Sequence, residues 1–143
     1  MARQSYELGL GLTEEHVDLA NAVADLAESV ITTDVVRRDI DSPTEEKLPV
    51  FWKALVDYDL LGLHVDESYG GAGGGLLTLA VALEALGRHA APGPFVPTVL
   101  TSAVLQADGG AVASELVPRL VDGSTTAALA LDPSGAPAVS CTT

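Results

Sequence analysis

The sequence predicts an all-α fold, a bundle of about five helices followed by one C-terminal strand. Three observations carry this. The chain has 143 residues of which 48% are apolar, yet only six are Phe, Trp or Tyr. A core of Ala, Leu and Val suits close helix–helix packing better than the interior of a broad sheet. Next, the segment from Leu76 to His89 is apolar on nearly every side, so other structure must cover it all round. Finally, Gly and Pro punctuate the chain at helix-length intervals.

The first helix starts at Thr13, a good N-cap, with Glu14 and Glu15 at the positive end of the dipole. Leu12 and Val17 have the spacing of a hydrophobic staple. Val17, Ala20, Ala24, Ala27 and Ile31 form one apolar stripe, and Leu19, Val23, Leu26 and Val30 a second beside it. This pattern predicts a broad-faced, mostly buried helix to about Thr33. Val35 to Asp41 is charged and reads as a loop. Ser42-Pro43-Thr44-Glu45 has the capping-box pattern with Pro at the first helical position. Pro49 forbids a long helix there, so a short turn and a second helix from Val50 to Tyr58 are expected, with Phe51, Trp52, Leu55 and Val56 as its core face. Leu60 to Leu63 follows as an apolar connection.

Gly70, Gly71, Gly73, Gly74 and Gly75 mimic a phosphate cradle. No Gly-Lys-Ser/Thr ending and no preceding strand accompany them, so the run is read as a flexible entry to the third helix. That helix, Leu76 to His89, carries Glu84 and Arg88 in the favourable i, i+4 order, which makes an ion pair the better reading of Glu84 than a buried acid. Ala91-Pro92-Gly93-Pro94 ends it. A fourth helix spans Val96 to Ala107, with Pro97 tolerated in the first turn and Gly109 as the stop. A fifth covers Gly110 to Val121, bent near Pro118, and Asp122-Gly123 makes a turn. Thr125 to Leu131 reads as a single buried strand, and the chain from Asp132 onward as loop. With no second strand in view, Thr125 to Leu131 is expected to begin a sheet completed by other residues or another chain.

Charge excludes some functions. The formal net charge is −13, and fifteen of the twenty carboxylates lie at or before Glu67. Nucleic acid and anionic membrane both require a basic patch, so neither is an expected partner. The acidic first half reads as a solvated face and the near-neutral second half as facing protein. Cys141 is the only cysteine, which rules out an internal disulfide and zinc spacing. His16, His64 and His89 are too far apart for a metal pattern and are read as surface or capping residues. The start of the chain lacks a long apolar core, and the most apolar run, Leu76 to Leu86, is too short to cross a bilayer. A cytoplasmic protein is expected.

Taken in order, Trp52, Gly62-Leu63-His64-Val65 within LLGLHV, Tyr69-Gly70-Gly71, the apolar helix, Ala91-Pro92-Gly93-Pro94-Phe95 and LVPRLVDG before a strand form a series. This series resembles the N-terminal α-helical domain of the acyl-CoA dehydrogenase family, and the APGPFVPT version looks most like actinobacterial-type members that handle bulky acyl-CoA thioesters. The likeness covers Leu12 to Leu131. Asp59 stands where the family commonly has a helix-ending Gly, and Asp66 replaces a frequent Pro. Asp132-Pro133-Ser134-Gly135 matches poorly the Thr-Glu-Pro…Gly-Ser-Asp motif that the family places near flavin and substrate.

The resemblance implies a helical domain over residues 1–124 and the start of a middle β-domain over 125–143. The implied reaction is α,β-dehydrogenation of an acyl-CoA, with FAD as hydride acceptor and a carboxylate base. Neither the base nor the main flavin-binding elements lie in this sequence, so no catalytic residue is assigned and the chain alone is expected to be inactive. It implies acyl-CoA as substrate and a homo- or hetero-oligomer with other acyl-CoA dehydrogenase-type chains. By the same analogy, Leu83, Leu86, Pro94, Phe95, Thr98, Val99 and Ser102 are candidates for the wall of the acyl cavity. Leu83, Leu86, Phe95 and Val99 equally satisfy plain core packing. Two other functions remain open at this point: a non-catalytic subunit of a heteromeric acyl-CoA dehydrogenase, and an unrelated helical interaction module.

Overall fold

A computed structural model describes residues 11–41, 48–131 and 137–142. The described helices are α1 (Glu14–Val30), α2 (Thr33–Asp41), α3 (Trp52–Asp57), α4 (Gly75–Arg88), α5 (Phe95–Asp108) and α6 (Ala111–Val121). Short 3-10 turns at Leu60–Gly62 and Glu67–Tyr69 link α3 to α4. Strands β1 (Thr126–Leu131) and β2 (Pro137–Thr142) close the described chain. The fold class is that expected, with two changes of detail.

The first change is α2. Residues 35–41 are helix, not loop. Thr32 starts it, its hydroxyl and carbonyl accepting the Val35 and Val36 amides, and Ile31 ends α1 outside helical geometry. Val35 and Val36 pack on the core, and that burial outweighs the polar composition. The predicted cap at Ser42-Pro43-Thr44-Glu45 falls outside the described residues.

The second change is β2. Residues 137–142, read as loop, pair antiparallel with β1 from Thr126–Thr142 to Leu131–Pro137. The Ala127 amide turns away from β2 to donate to Thr98 Oγ1. Ala127–Cys141 and, by alternation, Leu131–Pro137 are therefore non-hydrogen-bonded pairs. Pro137, which has no N–H, sits where none is needed. A lone hairpin is marginal in water, and this one is carried by packing: Ala127 joins Val65, Leu105, Ala113, Val117 and Leu120 in one apolar cluster.

The larger cluster is formed by Val23, Leu26 and Ala27 of α1, Trp52 and Leu55 of α3, Leu79, Ala82 and Leu86 of α4, and Phe95 and Val99 of α5. Trp52 Nε1 donates to the Gly123 carbonyl, 3.3 Å away, which ties α3 to the turn after α6. That turn has no room for a side chain, since a Cβ on Gly123 would meet Val56 at 2.4 Å.

The glycine run before α4 is more than a flexible entry. The amides of Gly70 to Gly74 donate in succession to the carbonyls of Glu67, Asp66, Gly62, Val65 and Leu63. A Cβ on Gly71 would lie 2.1 Å from the Val65 oxygen. The loop needs glycine here because backbone packs on backbone.

Candidate functional site

The corner between α4 and α5 is built by special backbone. His89 closes α4, its Nδ1 donating to the Ala85 carbonyl. Ala90 then turns left-handed at φ 51° and Gly93 at φ 99°. Gly93 presses on Pro49, where a Cβ would find only 2.4 Å. Pro94 caps α5 by accepting the Thr98 amide. Arg88 pairs with Glu84 on the outside of α4, as the i, i+4 spacing predicts.

α5 is inside out. Thr98, Ser102 and Gln106, spaced by four, make a polar stripe that faces the protein. Thr98 Oγ1 accepts from Ala127 of β1. Ser102 Oγ lies 3.1 Å from His64 Nε2. Gln106 clamps the strand of loop beside it, donating to the His64 carbonyl and accepting the Asp66 amide. On the opposite side Val96, Leu100 and Val104, also spaced by four, are 49%, 46% and 39% exposed. Apolar positions normally point the other way. An outward apolar stripe marks a surface that something else covers.

This sidedness sorts the predicted wall residues. Leu86, Phe95, Thr98, Val99 and Ser102 are buried within the chain's own packing, and Leu86, Phe95 and Val99 belong to the main core cluster. Leu83 packs half-buried against the same cluster, and Pro94 is half-buried at the corner. The seven thus divide: Leu83, Leu86, Phe95 and Val99 pack on the main core, Thr98 and Ser102 meet β1 and His64, and Pro94 sits at the corner. Val96, Leu100 and Val104, the exposed apolar row, lie outside the predicted set. The signal for them was available in the i, i+4, i+8 spacing of a second apolar row opposite Thr98 and Ser102.

His64 was also missed. It is neither surface nor cap but only 4% exposed. Ser102 gives its one hydroxyl hydrogen to the Val99 carbonyl at 2.9 Å, so its oxygen must accept from His64 Nε2–H. No carboxylate orients the ring, and His64 Nδ1 has no partner among the described residues. The pair therefore lacks the base-and-orienter geometry of a nucleophilic site and serves to fasten the loop to α5. Burial holds the His64 imidazole below its ordinary range, against a smaller upward pull from the Val99 carbonyl. Nearby, hydrogen bonds from Ser68 lower the Asp66 carboxyl.

The other two histidines fit the capping reading. His16 Nδ1 accepts the Thr13 amide, completing a capping box. Among the described residues no group of three or more His, Cys, Asp or Glu gathers as metal ligands, and no described helix is long and apolar enough to cross a membrane. The glycine run offers no anion cradle, because its successive amides are spent on loop carbonyls.

Comparison with known proteins agrees with this geometry. Residues 13–124 match the family described as acyl-CoA dehydrogenase, N-terminal domain. The chain is 30% identical over 123 residues to the acyl-CoA dehydrogenase IpdE2 of Mycolicibacterium smegmatis, covering 85% of this chain and 38% of that protein. It is 31% identical over 111 residues to the acyl-CoA dehydrogenase FadE27 of Mycobacterium tuberculosis, covering 78% and 28%. A variant of the steroid ACAD Tcur3481-Tcur3483 shares the fold with a TM-score of 0.67 and 34% identity, over 79% of this chain and 31% of that one. The chain spans little more than a third, or less, of each of these relatives. It belongs to the acyl-CoA dehydrogenase family, whose N-terminal helical domain it represents.

Proposed function

We propose that this chain serves as the N-terminal domain of an acyl-CoA dehydrogenase-like flavoprotein, and that it supplies part of the wall of the acyl cavity for α,β-dehydrogenation of an acyl-CoA thioester. The observation that carries the reading is the outward apolar stripe of α5, on a domain of this family. In the proposal Val96, Leu100 and Val104 face the acyl group. Leu83, Leu86, Pro94, Phe95, Thr98, Val99 and Ser102 back that wall and fix its position. An apolar surface held rigid by buried contacts suits a bulky hydrocarbon, and likeness to a steroid ACAD supports a polycyclic acyl group.

FAD would supply the hydride acceptor. The residues described here do not fit its pyrophosphate, since the glycine-rich amides are already hydrogen-bonded within the loop. The cofactor's grip and the α-proton base are assigned to protein beyond this domain, and no catalytic step is assigned to this chain. Residues 1–124 form the helical domain, and the hairpin that follows begins a β-domain. A cytoplasmic, oligomeric setting is part of the proposal.

A second reading is a non-catalytic subunit within a heteromeric acyl-CoA dehydrogenase. The paired designation of Tcur3481-Tcur3483 favours it. One experiment serves both. The tagged chain is recovered from its native cells, and its partners, flavin spectrum and acyl-CoA oxidation with an artificial electron acceptor are recorded. A yellow, active assembly with a second acyl-CoA dehydrogenase-type chain supports the subunit reading, and a single longer polypeptide supports the domain reading. A chain recovered with neither flavin nor such a protein overturns both.

A further inference from the structure

We propose that His64 is a proton-operated latch, which fastens the His64–Asp66 stretch to α5 when neutral and loosens it when protonated. The inference rests on hydrogen-bond accounting and holds whatever the domain assembles with.

Ser102 has one hydrogen, and it goes to the Val99 carbonyl. Its oxygen therefore receives His64 Nε2–H, which leaves Nδ1 as a bare lone pair, buried and without a partner among the described residues. A neutral imidazole tolerates this, because one unmet neutral acceptor costs far less than a buried, unpaired charge. A proton on Nδ1 changes the account. It adds a charge in a site that is 4% exposed and an N–H with no partner among the described residues, and burial outweighs the pull of the Val99 carbonyl. Ser102 cannot help, since it already accepts from the other nitrogen. The ring must shift, and the two hydrogen bonds by which Gln106 holds the His64 carbonyl and the Asp66 amide on α5 loosen with it, while buried Val65 stays seated beside Leu105.

The charged or titratable groups on the surrounding elements do not offset the charge. The loop carries Asp59, Asp66, Glu67 and Tyr69, α3 carries Lys53 and Asp57, α5 carries Asp108, and α6 carries Glu115 and Arg119; β1 from Thr126 to Ala130 has none. Apart from Tyr69 and Arg119, which are half-buried, all are exposed. The Asp66 carboxylate is occupied by the Ser68 amide at 2.8 Å, and Lys53 pairs with Asp57.

The sign follows from burial, which lowers the docked imidazole's proton affinity. Above the ordinary histidine value of about 6.5 both docked and released forms are neutral, and docking is at full strength. Below it the released form takes the proton first. Docking then weakens by up to about tenfold per pH unit until the docked ring titrates too.

The test is amide exchange and imidazole titration by NMR on the whole chain. Protection of the Asp66 amide, corrected for intrinsic exchange, is expected to fall several-fold between pH 7 and pH 5, while that of Ala127, held on the same helix by Thr98, does not. The substitution His64→Gln should flatten the Asp66 profile. Where that variant does not fold, the unsubstituted protein decides: the His64 ring is expected to titrate below the ordinary histidine value of about 6.5. An Asp66 profile that does not change with pH, one equally steep in His64→Gln, or a His64 midpoint at or above the ordinary histidine value, overturns the proposal.

Discussion

Individual residues matter here mainly through backbone geometry. Gly71 is the sharpest case. Its alanine variant would place a methyl 2.1 Å from the Val65 oxygen, backbone against side chain with nowhere to move. The expected loss is about 3 kcal/mol, at the upper end for overpacking, seen as a lower urea midpoint at unchanged slope. Gly70 makes the matched control: it sits at φ +86 in open space, so its alanine variant should cost only the left-handed strain of about 1–2 kcal/mol. The reverse experiment applies to Ala90, a left-handed residue that has no glycine freedom. Ala90→Gly should raise stability by about 1 kcal/mol, read as an increase in Tm. Asp59, at φ 54°, already accepts the left-handed turn that the sequence required of it. Residues acting on near neighbours were legible in sequence: Thr13 as N-cap, Glu84 with Arg88, Gly109 as a left-handed stop. His64 was not, because its partner lies 38 residues away and nothing local distinguishes a buried histidine from an exposed one.

Helices were legible to within a turn where Gly or Pro bounded them, as at α3, α4, α5 and α6. Periodicity failed in two instructive ways. In α2 a charged composition concealed Val35 and Val36, two side chains that suffice to hold a short helix on a core already formed. In α5 both faces repeat with the same spacing, so the pattern shows a helix without saying which side is inside. Polar Thr98 and Ser102 face in because each meets a specific partner, and a buried, satisfied hydroxyl costs little. This sidedness predicts opposite outcomes for adjacent residues. Val99→Ala, at a fully buried position, should cost about 2 kcal/mol. Leu100→Ser, one residue on, should change folding stability by no more than about 0.5 kcal/mol. Parallel denaturation curves check the pair, and equal losses would mean that the helix is seated the other way round.

At the scale of the molecule, sequence order supplied the architecture but not the partner of β1. The segment from Pro137 to Thr142 begins with proline and has mixed polarity, so it carries no strand signal of its own; pairing with β1 gives it one. That pairing changes the physical reason to expect self-association. An unpaired strand would recruit partners through its edge, but β2 now occupies one side of β1, and Thr98 takes the Ala127 amide on the other. Among the described residues the outer edge of β2 stays open, and so does apolar surface, of which Val96, Leu100 and Val104 on α5 form the one row spaced by four along a helix. The isolated chain is therefore expected to associate in a concentration-dependent way through the α5 row. Replacing Val96, Leu100 and Val104 together by Ser should shift it to a monomer in light scattering, while circular dichroism stays unchanged. If the triple variant still associates as strongly as the original, strand edges and not the α5 stripe hold the copies together. A parent chain that is monomeric at high concentration would count against both routes, and would leave the outward stripe to a ligand or to the rest of the dehydrogenase alone.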